Sequence, residues 1–86
     1  MLKYSKIPQK TPKYMVGVEI DLNGEDGNIF NVMGIVAKLL LKNGVKEEET
    51  REFWKYITSS TSYEDALERV QEWAFVVYKY EETEED

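Results

Sequence analysis

Residues 21–44, DLNGEDGNIFNVMGIVAKLLLKNG, set the terms for any fold this chain adopts. Asn31, Gly34, Lys38 and Lys42 recur at spacings of three and four, drawing one narrow wet stripe along a cylinder. Ile29, Phe30, Val32, Met33, Ile35, Val36, Ala37, Leu39, Leu40 and Leu41 fill the remainder. The spacing predicts a helix over residues 28–43 that is contacted from at least two sides. Asn28 or Asp26 can accept from the first free backbone N–H groups, and Gly44 can take the left-handed conformation that closes the last turn. The segment is too short, and too closely flanked by charge, to span a bilayer, so it reads as a buried central helix. Gly34 costs about 1 kcal/mol relative to alanine inside a helix, and close approach of another element is the expected compensation.

The flanking segments supply what covers that helix. Tyr14, Val16, Val18, Ile20 and Leu22 alternate with Met15, Gly17, Glu19 and Asp21, the pattern of a strand buried on one face. After the central helix, Glu47, Glu48 and Glu49 suit the positive end of a second helix, with Glu47 placed to pair with Arg51. Phe53, Trp54, Tyr56 and Ile57 give it an apolar side, and the β-hydroxy run 58–61 stops it. Ser62, with Asp65 three residues on, opens a third helix whose face is Tyr63, Ala66, Leu67, Val70 and either Trp73 or Ala74. Residues 75–80, FVVYKY, are aromatic and β-branched and read as a second strand. The expected architecture is α+β: strand, three helices, strand, with the helices packed on one face of a small sheet. Two strands alone are marginal, so the helix layer must hold them, and an unpaired edge is open to the N-terminal arm or to a second copy of the chain.

Charge and composition divide the 86 residues into three parts. Residues 1–13 carry four lysines and no acid, and read as a basic extended arm in which Leu2, Tyr4 and Ile7 are placed to pin an edge segment. Residues 14–80 form the single α+β domain, and residues 81–86 carry five acids and no base, the composition of a solvated disordered tail. The net charge of −6 argues against nucleic-acid binding, which rests on cations neutralising phosphates. With neither cysteine nor histidine, thiolate chemistry and the commonest general base and metal ligand are missing. No apolar signal segment follows Met1, and the expected location is the cytoplasm.

The stretch VEIDLNGEDGNIFNVMGIVAKLL, followed after a second helix by SYEDALERVQEWAFVVY, resembles a group of small uncharacterised proteins encoded by bacteriophages and bacterial mobile elements. In that group an extended segment precedes an I-D-L-x-G-x-x-G-N-like loop, a hydrophobic helix, and a final Y-E-x-x-L-x-x-V-like helix and strand. The likeness covers roughly residues 18–80 and leaves the arm and the tail outside. It implies an accessory protein of the host cytoplasm, with no particular activity attached.

Chemistry has few places to reside. Asp21, Asn23, Glu25, Asp26 and Asn28 are rich in oxygen, but a calcium loop begun at Asp21 would need glycine where Asp26 stands and glutamate where Val32 stands. A phosphate cradle fails as well, since Gly24 and Gly27 lack a following Gly-Lys-Ser/Thr. Glu19 and Asp21 share a strand face but lack the apolar pocket that splits the acid strengths of a catalytic pair. No catalytic residue, metal ligand or cofactor site is expected, and the chain does not read as an enzyme. The remaining candidates are aromatic: Trp54, Tyr56, Tyr78 and Tyr80, as anchors for a protein partner. The expected function is binding of another protein, or self-association into a homodimer. The alternative is an acidic nucleic-acid mimic that inhibits a host enzyme, displaying Glu47, Glu48, Glu49, Glu52, Glu64, Asp65, Glu68 and Glu72 from the second and third helices.

Overall fold

The computed structural model describes residues 2–4, 11–23 and 27–81. In chain order these form β1 (Leu2–Tyr4), β2 (Gly17–Asp21), α1 (Ile29–Lys42), α2 (Glu47–Thr58), α3 (Tyr63–Gln71) and β3 (Phe75–Glu81). The architecture is the α+β one that residues 14–80 predict, enlarged by a short third strand. The strand order is β1-β3-β2, with β3 antiparallel to β1 and parallel to β2. Parallel neighbours cannot be joined by a tight turn, so the whole helical layer serves as the connection between β2 and β3. Leu2–Tyr4, from the lysine-rich arm, lies along the other side of β3. Ile7 and the tail 82–86 lie outside the described residues, while Glu81 pairs with Leu2 as part of β3.

Alternation in residues 14–22 matches burial: Ile20 is buried, Tyr14, Val16, Val18 and Leu22 are half-buried, and Met15, Gly17, Glu19 and Asp21 are exposed. Backbone bonds prolong the contact beyond β2. Tyr14 N–H donates to the Trp73 carbonyl (3.0 Å), Phe75 N–H to Val16 (2.8 Å), and Leu22 N–H to Lys79 (2.7 Å).

The ends of α1 are built as expected. Asn28 Oδ1 accepts from Phe30 N–H at 2.9 Å, making Asn28 the N-cap. Gly44 has φ +88° and donates to the Leu41 carbonyl, a backbone conformation that any side chain would strain. Val32, Met33, Val36, Ala37 and Leu40 enter one core with Ile20, Phe53, Ile57, Val70, Trp73, Val76 and Tyr78. Ser62 Oγ caps α3 by accepting from Asp65 N–H, and Asp65 reaches back to Thr61 N–H rather than closing the reciprocal bond to Ser62. Trp73 and Ala74 are both buried, because the helix ends at Gln71 and the 3.6-residue register no longer separates them.

Four expectations are corrected. Space around Gly34 is open, with nothing within 4 Å of where a Cβ would stand, so no element approaches it. The wet side of α1 is broader than one stripe, since Phe30 is 62% and Leu41 46% exposed. Tyr63 is also exposed rather than part of the α3 core face, its hydroxyl donating to the Gly27 carbonyl. Among the described residues the ion pairs formed within α2 and within α3 are Glu52–Lys55 and Asp65–Arg69, and none joins Glu47 to Arg51.

The helices are tied by one arginine. Arg69 Nη1 donates to the Tyr56 carbonyl (2.9 Å) and to Ser59 Oγ (2.8 Å), and its guanidinium lies 4.8 Å from the Tyr56 ring centre. A cation at the C-terminal end of α2 also suits that helix's dipole.

Two substitutions check this packing. Gly34→Ala should stabilise the chain by about 1 kcal/mol, because the helix gains propensity and the methyl meets open space. Phe53→Ala empties a fully buried site stacked edge-on against Trp73 and should cost about 3–5 kcal/mol, both read by chemical denaturation.

Candidate functional site

The four aromatic candidates do not make one surface. Tyr78 is 3% exposed and donates its hydroxyl to the Leu67 carbonyl at 2.8 Å, with burial pushing the phenol far above its ordinary range. Tyr56 is half-buried and committed: its hydroxyl donates to Glu72 Oε2 at 2.6 Å, a bond that also raises its pKa, and Arg69 covers its ring. Trp54 is half-buried against the core, and Tyr80 is half-buried on β3 in register with Lys3 of β1.

The oxygen-rich loop is occupied with its own turns where it is described. Asp21 Oδ1 accepts from Asn23 N–H at 2.8 Å, and Asn28 caps α1. Gly27 packs so tightly on Leu22 that a Cβ would stand 2.0 Å from the Leu22 carbonyl oxygen, which makes glycine obligatory there. Residues 24–26, including Glu25 and Asp26, lie outside the described residues. Glu19 and Asp21 are exposed on the open face of the sheet.

A groove lies where three helix ends meet. Ile29, Phe30 and Met33 from the start of α1, Ile57 from the end of α2, and Tyr63 and Ala66 from the start of α3 enclose about 320 Å³, together with hydroxyl residues of the α2–α3 link. No charged residue lines it. Three of the four hydroxyls turn back on the chain: Thr58 Oγ1 donates to the Trp54 carbonyl, Ser60 Oγ to Ile57, and Ser62 Oγ receives Asp65 N–H. Groups satisfied in this way offer a visitor little competition from their own hydration, so the groove presents apolar contact rather than a polar code. Phe30 and Tyr63, at 62% and 41% exposure, stand at its rim.

Electrostatics concentrate at the other end of α2. Lys13 Nζ sits 2.9 Å from Glu49 Oε2 and 4.3 Å over the Trp73 ring, while Tyr14 donates its hydroxyl to the same carboxylate oxygen at 3.0 Å. These contacts border a shallow hollow of about 480 Å³ whose other walls are Glu52, Tyr56 and Glu72. The hydrogen bond from Lys13, then that from Tyr14, then the ammonium charge hold the Glu49 carboxyl below its usual range. The same hydrogen bond raises Lys13, and burial followed by the bond to Glu49 raises Tyr14.

No family model matches this chain, and no curated protein or solved structure is detectably similar to it. Function has to be argued from the surface. Among the described residues no helix is long and apolar enough to cross a membrane, and no three acidic side chains are grouped to hold a metal ion.

Of the seven acids on α2 and α3 and Glu72 at the C-cap of α3, half are engaged within the chain. Glu49 holds Lys13, Glu52 lies 3.9 Å from Lys55, Asp65 holds Arg69 and Glu72 accepts from Tyr56. Glu47, Glu48, Glu64 and Glu68 are exposed.

The Glu49 cluster has a defined pH signature. Because its folded pKa is lowered, its stabilising contribution is complete above the ordinary glutamate range of about 4.3 and is lost as pH falls through the lower folded value. Glu49→Gln should therefore flatten the acid limb of the stability profile, measured by denaturant midpoints at about pH 6 and about pH 3.

Proposed function

We propose that this chain is a phage-type accessory protein of the host cytoplasm that acts by binding another protein, or a second copy of itself, through the uncharged groove at the helix ends. The observation that carries this reading is Phe30, a large ring left 62% exposed on the rim of an apolar cleft in a chain that is one-third charged. Large exposed apolar side chains beside a concave apolar surface mark contact sites, since aromatic anchors seated in such clefts dominate interface energetics. Tyr63 supports the same surface from α3, and its bond to the Gly27 carbonyl holds the loop before α1 against α3.

The mimicry alternative has less behind it. A nucleic-acid mimic presents a row of free carboxylates at phosphate-like spacing, and here Glu49, Asp65 and Glu72 are drawn into contacts that neutralise or cover them. Resemblance of the 20–28 loop and the following helix to phage-encoded proteins supports the accessory role.

The two readings separate by salt and by mutation. Phe30→Ala should weaken partner capture or self-association at least about tenfold while leaving the melting midpoint nearly unchanged, with little effect of raising ionic strength. Binding that survives Phe30→Ala but collapses at moderate salt would favour the acidic surface instead.

A further inference from the structure

Strand β2 forms one boundary of the sheet, with β3 on its inner side only. The Val16 carbonyl and the Leu22 N–H both bond to the β3 side, so by the two-residue period of a strand the backbone groups of Val18 and Ile20 face β3 too. Gly17, Glu19 and Asp21 therefore direct their N–H and C=O groups outward. All three residues are exposed, and among the described residues no backbone or side-chain group meets that outward row.

The side chains along this edge select what it can pair with. On the open face, Glu19 stands beside Val77 and Asp21 beside Lys79, so Glu19 has no cation next to it. Gly17 stands beside Phe75, whose Cβ would lie 3.4 Å from a Cβ at position 17, and Met15 next along is 71% exposed. On the helix face the neighbours are half-buried Val18 and buried Ile20. A second copy of β2 is a poor match: antiparallel pairing about a two-fold axis sets acids against acids, in a chain of net charge −6.

We propose that β2 accepts an extended basic segment of a partner protein as an added antiparallel strand. Its pattern is cation, aliphatic, cation, aliphatic, aromatic: the cations lie opposite Asp21 and Glu19, the aromatic residue covers Gly17 beside Phe75 and Met15, and the aliphatic residues extend the Val18 and Ile20 face. Main-chain hydrogen bonds to Gly17, Glu19 and Asp21 supply attachment, and the two carboxylates supply selection. This surface is on a different element from the Phe30 groove, so either can fail without the other.

The probe is a blocked Lys-Val-Lys-Val-Phe peptide, titrated into the isotope-labelled chain and followed by amide hydrogen exchange. Saturable binding should slow exchange of the Gly17, Glu19 and Asp21 amides at least about tenfold, while Val18 and Ile20, already bonded to β3, stay as they were. The exposed double reversal Glu19→Lys with Asp21→Lys should weaken this peptide about tenfold and gain the Glu-Val-Glu-Val-Phe counterpart, with the circular dichroism spectrum unchanged. Absence of saturable binding would overturn the proposal. So would protection spread over the acidic helices without the alternation, or slow exchange of the same three amides in the chain alone at high concentration, which would show self-pairing.

Discussion

Two strands lying parallel and adjacent impose a return path on the chain between them. From Asp21 at the end of β2 the backbone must come back to the start of β3 at Phe75, and everything in that interval is the means of doing so. A single crossover helix is the usual solution. Here three short helices share the task, and only one of them, α1, is apolar enough to form the floor on which the other two pack. Val32, Val36 and Leu40 are fully buried because they close the space between α2, α3 and the inner face of the sheet, represented by Ile20, Val76 and Tyr78.

The helical layer is fastened to the extended segments by polar contacts as well. Lys13 and Tyr14 converge on Glu49, so the chain just before β2 is clamped to the first turn of α2, and Trp73 receives the ammonium on its face. Arg69 does the corresponding work between α3 and the end of α2. Both clamps pair carboxylates or carbonyls with cations, leaving α2 and α3 less uniformly acidic than their composition implies. What remains accessible falls into two kinds of surface: an uncharged cleft with an aromatic rim, and a sheet edge flanked by acids.

Local signals suffice for β2, β3 and the three helices, and for the capped helix ends. Asn28, Gly44 and Ser62 act at helix termini through bonds that reach no further than three or four residues, and alternation over residues 14–22 is read within one strand. Signals that span elements were not visible. Phe30 counts among the apolar residues that fill the rest of the helix, although it lies on the same 30, 34, 38, 41 line as Gly34 and Lys38, which is a clue that it faces out. Gly34 invited a contact that the tertiary arrangement does not make. The cleft itself is assembled from three helix ends, and no periodicity within any one of them specifies their meeting. Leu2–Tyr4 is similar: three residues among lysines carry no strand pattern of their own and gain one only from β3.

The middle strand of this sheet is the last of its elements to leave the ribosome. Neither β1 nor β2 touches the other, so during synthesis both wait without a neighbour until residues 75–81 emerge, and the long loop closure is deferred to the end. A nascent chain halted before that point holds helices with nothing to roof and two orphan extended segments, a form suited to capture by chaperones or proteases. Vectorial synthesis thus defers assembly of the sheet until β3 has been made, because β1 and β2 have no strand neighbour other than β3.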